Sequence, residues 1–231
     1  MIIGNVEEIP LFDKRELFDD TGKKVVHNFV VRNIETEEHV GIISDKYVLV
    51  QPREFVKNFL EATKTEIKRI VVFRGFVKAD MENDEMKLVL FNSVDKSSGV
   101  WIVPYMDKDG MRIYGVKAVR QMHRGNVNEV IRNILADFKK VQGTFSTFLQ
   151  GLYTDVSQES KEEMKKKLEK LEFNKNEQEL FDNAKTYFDI YKLLYERVSR
   201  RRSNEVRNFM KLVGLIEKIL WEGMSSRIVN R

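Results

Sequence analysis

The 231-residue chain has no cysteine, three prolines and three histidines, and each scarcity removes a class of chemistry. Without cysteine there are no disulfides, no thiolate metal sites and no cysteine nucleophile. His27, His39 and His123 never fall into an H-x-x-x-H or H-E-x-x-H spacing, so no zinc-hydrolase helix is encoded. Neither G-x-x-x-x-G-K-[ST] nor G-x-G-x-x-G occurs, which takes away the usual phosphate-cradling loops. No apolar run reaches the roughly 18 to 20 residues that span a bilayer. The opening MIIGNVEEIPLFDKREL lacks the basic and apolar regions of a secretory leader. The expectation is a protein of the host-cell cytoplasm with no membrane partner and no cofactor.

What is present is a globular composition, with 42% hydrophobic and 33% charged residues. Abundant Lys and Glu without Cys fit a thermophilic host. The prolines are Pro10, Pro52 and Pro104, so nothing beyond residue 104 carries that helix breaker. Residues 24–33, 39–51, 67–79, 86–94 and 99–105 are rich in Val, Ile and Phe and read as strands. DMENDE at 80–85 and DKSSG at 95–99 supply turn chemistry for hairpins. In PREFVKNFLEAT, Pro52 suits a first helical turn, with Phe55, Phe59 and Leu60 on one face. The fold class expected is α+β: an antiparallel sheet with a packed helix in residues 1–120, then a basic helical region over 121–231.

In that second region Val127, Val130, Ile131, Ile134, Leu135 and Phe138 form a helical stripe. Residues 155–175 read as an exposed charged helix or bridging arm. Two further stripes run from Leu180 to Val198 and from Val206 to Leu220, with a break near Ser203.

Charge splits unevenly. Residues 1–120 hold 19 Lys and Arg against 20 Asp and Glu; residues 121–231 hold 21 against 16. An anionic partner is therefore sought first in basic segments. In 112–140, Arg112, Lys117, Arg120, Arg124, Arg132, Lys139 and Lys140 face only Glu129 and Asp137, with His123 interleaved. Such density suits phosphate neutralisation with some stacking. In 192–211, Arg200, Arg201, Arg202 and Arg207 stand out, and three consecutive arginines cannot share one helical face. Tyr47, Phe73, Phe76 and Trp101 on a sheet could add stacking, although core packing explains such aromatics equally well. Asp19, Asp20, Asp80, Asp84, Asp107 and Asp109 read as turn carboxylates rather than as a magnesium site. Asn92, Ser93 and Asp95 read as turn residues bonding local backbone.

Three stretches together carry a family resemblance: HVGIISDKYVLVQPREF, KLVLFNSVDKSSGVWIVP and VRQMHRGN. Over roughly residues 25 to 150 the chain resembles the phage/plasmid-like protein family, a domain of unknown function found in mobile genetic elements. Val94 and Lys96 stand where that family often has His and Gly. The resemblance implies a mobile-element origin and work on DNA. The expectation is thus a non-enzymatic DNA-binding accessory protein of a virus or plasmid, binding or annealing single strands, for no catalytic constellation is visible. The alternative is a virion or other structural protein, a homo-oligomer held through its C-terminal helices.

Overall fold

Alternating Val, Ile and Phe drive the first half into antiparallel ladders, because branched and aromatic side chains pack well on a pleated surface. The computed structural model describes the chain except residues 85, 96–98, 122–128, 130–131, 134–135, 137–139, 169–172, 200–203, 223 and 225–231. Its fold class is α+β.

The chain divides into two compact units. The first comprises Met1–Ile113 and Ala118–Gln142, and the second comprises Tyr114–Lys117 and Gly143–Arg231. Basic residues 118 to 140 therefore belong to the sheet-bearing unit.

In the first unit, β2 (Phe12–Phe18), β3 (Lys24–Asn33) and β4 (His39–Ser44) form a three-stranded sheet. A larger sheet runs β1 (Ile2–Ile3), β5 (Glu66–Phe73), β6 (Phe76–Glu82), β7 (Lys87–Ser93), β8 (Val100–Lys108) and β10 (Val119–Gln121), with β9 (Met111–Tyr114) also on β8. Helix α1 (Pro52–Thr63) begins at Pro52, and Gln51 before it is extended at φ −63°, ψ 119°, as a residue preceding proline prefers. Its Phe55, Val56 and Phe59 are buried with Ile70, Val77, Ala79, Leu88, Leu90 and Ile102 from one face of the larger sheet. The Gln51 side chain pairs with the Phe12 backbone, accepting from its N–H at 3.1 Å and donating to its carbonyl at 2.5 Å.

Two strand expectations are corrected. Residues 67–79 are not one strand, because Arg74 at φ 51° turns the chain between Phe73 and Phe76. Gly75 is needed there: an added Cβ would lie 2.9 Å from Val94 Cγ2. The 39–51 stretch stops pairing after Ser44, and residues 45–51 lead irregularly into α1.

The second unit holds α2 (Lys140–Leu152), which starts in the last residues of the first unit, then α3 (Gln158–Leu168), α4 (Lys175–Asp182), α5 (Tyr187–Ser199) and α6 (Glu205–Leu215). A π-helical stretch, Ile216–Trp221, continues α6. Helix α3 is not the exposed arm expected, since it buries Ser160, Lys161, Met164 and Leu168, and Lys161 Nζ donates to the Asp182 carbonyl at 2.7 Å. The stripe from Leu180 to Val198 is split between α4 and α5. The Asp189 carboxylate accepts from the N–H groups of Lys185 and Thr186 and from the Thr186 hydroxyl, at 2.9 to 3.0 Å. This satisfies amides left over at the start of α5. Asn174 and Glu177 form a reciprocal cap on α4, and the Asn204 side chain caps α6. The expected stripe residues Val127, Val130, Ile131, Ile134, Leu135 and Phe138, and Ser203, lie outside the described residues. Among the described residues no helix is long and apolar enough to cross a membrane.

Candidate nucleic-acid interface

Residues paired across an antiparallel ladder point to the same face, so register alone lays out the second face of the larger sheet. One row runs Val71, Lys78, Phe91, Trp101, Arg120 across β5, β6, β7, β8 and β10. Phe73 and Phe76 form the adjoining pair beside the Arg74 turn. Neighbouring rings on this face make a ladder: Phe73 to Phe76 at 6.5 Å and 8°, Phe76 to Phe91 at 6.0 Å, and Phe91 to Trp101 at 4.7 Å. Phe91 and Trp101 are buried, whereas Phe73 and Phe76 are half-buried. The Arg74 guanidinium sits 5.7 Å from the Phe73 ring centre and Arg74 is exposed. At the other end of the row Arg120 is exposed on β10.

The cations singled out from sequence divide into three groups. Arg120, Arg132, Lys140 and Arg207 are exposed. Arg112 and Lys117 are engaged internally. Arg112 donates to Asp80 at 2.8 Å and to Asp107 at 3.2 Å and stacks 4.0 Å over the Tyr105 ring. Lys117 holds Glu217 through its ammonium at 2.8 Å and through its backbone N–H at 3.0 Å. His123, Arg124, Lys139, Arg200, Arg201 and Arg202 lie outside the described residues.

Asp80 is not a turn residue. It sits in mid-strand on β6, 2% exposed, between Lys78 Nζ at 2.6 Å and Arg112. Burying those charges is tolerable only because each is paired. Asp107, at the end of β8, accepts from Lys87 at 3.0 Å as well as from Arg112. Partial burial would raise the Asp107 carboxyl, but the bonds from Lys87 and Arg112 outweigh it and hold the group below its ordinary range. Burial pushes the Tyr105 phenol up to about 12, against the pull of Arg112. Among the described residues no group of three or more His, Asp or Glu side chains could hold a metal ion.

The first two stretches that carry the family resemblance meet in space. Tyr47 OH donates to the Ser93 carbonyl at 2.9 Å, and Asn92 Nδ2 donates to the Val50 carbonyl at 3.3 Å. Gly41 lies so close to the later stretch that an added Cβ would be 2.8 Å from Asp95 Cβ and 3.0 Å from Asp95 Cα. Ser93 Oγ donates to Asp95 Oδ1 at 2.5 Å. The expectation of purely local bonding by Asn92 is thereby corrected: its amide clamps a carbonyl 42 positions away. These polar groups fasten the end of β7 to the segment after β4.

Of the aromatics weighed from sequence, Tyr47 and Trp101 are core residues at 7% and 6% exposure. Arg74 was missed because it lies inside an apparent strand, and its only sequence signal is an R-G dipeptide between two phenylalanines. No protein-family model matches the chain, and no curated protein and no solved structure shows significant similarity to it.

Proposed function

We propose that the protein is a non-enzymatic accessory protein of a virus or plasmid that binds single-stranded DNA in the host-cell cytoplasm. The observation that carries this reading is the stacked Phe73 and Phe76 pair beside the exposed Arg74, on a sheet face whose row ends at exposed Arg120. Single-strand binders combine cations that track phosphates with rings on which bases stack, whatever the base. Arg132 and Lys140, exposed in the same unit, add positive charge. The resemblance to the phage/plasmid-like family supports the mobile-element setting.

The test is a salt titration of oligo(dT) binding by the parent, by Phe73→Ala and by the double variant Arg74→Ala/Arg120→Ala. Loss of one stacked base costs about 1 to 3 kcal/mol, so Phe73→Ala is expected to weaken binding roughly tenfold. Each phosphate contact on a single strand contributes about −0.7 to the slope of log affinity against log salt. The double variant should therefore flatten that slope by up to about 1.4. A parent slope near zero, or a double variant that behaves like the parent, overturns the reading. Self-association through the helices is the second reading, favoured by Leu180 and Tyr153 at 53% and 46% exposure. A monomer in sedimentation equilibrium at high protein concentration removes it.

A further inference from the structure

We propose that a pocket between α5 and α6 of the second unit accepts a single nucleobase carrying an exocyclic amine, adenine or cytosine. The proposal deepens the DNA-binding reading and rests on it for the biological source of the base, though not for the chemistry of the pocket. The cavity measures about 310 Å³, at the lower end of ligand sites and suited to one or two rings.

Its walls are ring surfaces held rigidly. Tyr114 meets Phe209 edge-on, with ring centres 5.2 Å apart and planes at 67°. The Tyr114 backbone N–H donates to Tyr191 OH at 2.8 Å, which fixes the strand end that carries the ring. Tyr195 lines the opposite helix and stacks on Tyr191 at 6.3 Å and 19°. Val198 closes the pocket among buried side chains, at 2% exposure. An apolar floor with aromatic walls favours a flat, polarisable ligand.

The polar groups choose among flat ligands. Glu205 and Asn208 both line the pocket and stand three residues apart on α6, hence on the same side of the helix. A carboxylate only accepts, whereas a carboxamide both donates and accepts. That pair answers an exocyclic amine beside an unprotonated ring nitrogen: Glu205 receives the amine hydrogen and Asn208 Nδ2 donates to the ring nitrogen. Adenine and cytosine carry this combination on their pairing edges. Uracil and thymine offer a carbonyl where the amine would be, opposing two acceptors and leaving the carboxylate unsatisfied. Sites built to hydrogen-bond a group reject analogues that lack it, because buried polar atoms are then left unpaired. A phosphate is a poor alternative occupant, since it would face the Glu205 charge.

Isothermal titration with adenosine, cytidine and uridine tests the proposal, since nucleosides have no phosphate and report on the pocket alone. Adenosine and cytidine should bind at least tenfold more tightly than uridine. Asn208→Ala and Glu205→Gln, each checked for native circular dichroism, should each weaken adenosine about tenfold, in line with the roughly 1 to 3 kcal/mol that a well-placed polar pair contributes to base discrimination. Glu205→Gln keeps the side-chain size, so it remains informative if Asn208→Ala perturbs folding. Absence of nucleoside binding, equal binding of uridine, or indifference of both variants overturns the pocket assignment. Salt-dependent oligo(dT) binding without nucleoside binding would retain the DNA reading and discard the pocket; nucleoside binding without oligonucleotide binding would do the reverse.

Discussion

The two units reach order by different routes. The first is tied together by partners far apart in sequence, such as Tyr47 with Ser93, Asn92 with Val50 and Arg112 with Asp80. The second is built from short helices whose ends carry their own stop and start signals, at Asn174, Thr186 with Asp189, and Asn204. Charge follows the same division. The first unit holds Lys78 and Asp80 almost wholly out of water, while the second places Lys165 with Asp182 and Lys167 with Glu222 in partly exposed pairs. Arg197 and Glu177 are the buried exception there. A net positive count along a stretch of sequence therefore does not locate free cations; pairing does. Arg112 and Lys117, among the most prominent basic residues by position, are internal struts.

The sharpest way to break this contrast is to remove one cation from each unit. Lys78→Ala leaves Asp80 buried with one of its two cations gone, and is expected to cost about 3 to 5 kcal/mol. Lys165→Ala removes a partly exposed partner and should cost at most about 1 kcal/mol. Urea denaturation of the two variants measures both, and equal losses would abolish the distinction. Next in size is Gly41→Ala. The neighbouring atoms are Asp95 backbone as well as side chain, so the strand must shift, at about 1 to 3 kcal/mol. If its midpoint matches the parent, the clasp between the two stretches is looser than its distances indicate.

The smallest expected effect lies in the helical unit. Asp189→Ala should cost about 1 kcal/mol at neutral pH, as the loss of a helix cap does. Partial burial would raise the Asp189 carboxyl, but bonds from the Thr186 and Lys185 backbone hold it below the ordinary range. A depressed folded-state value means its stabilisation is complete above the unfolded value near 3.9 and fades as pH falls through the folded one. Parent and variant should thus converge in acid. A constant gap between their melting temperatures down to pH 2 would show that the carboxylate charge has no part in the cap.

Much of the fold was legible because its signals are local. Residues 24–33 alternate and form β3 with those bounds, and Pro52 marks the first turn of α1. The break between α4 and α5 was also written in the sequence, as a Thr-x-x-Asp cap, but the apolar stripe running through it is the louder signal. Arg74 was hidden because Val, Phe and Val on either side continue a strand-like pattern. The partners of Arg112 were illegible for a different reason: Asp80 lies 32 positions away, and only strand register brings the two together. Likewise, the row from Val71 to Arg120 depends on four successive pairings that composition cannot supply.

Gly151 and Met224 offer a chemical clock for the helical unit. A Cβ at Gly151 would come within 2.6 Å of the Met224 sulfur, and Met224 is 3% exposed. The thioether thus rests directly on bare backbone, with no space on that side for the extra oxygen of a sulfoxide. Peroxide can reach it only when this packing opens, whereas Met1, 67% exposed, reacts from the closed state. The ratio of the two oxidation rates, read by peptide mass spectrometry, would report how often α2 and the turn bearing Met224 part in a protein that otherwise looks fully folded.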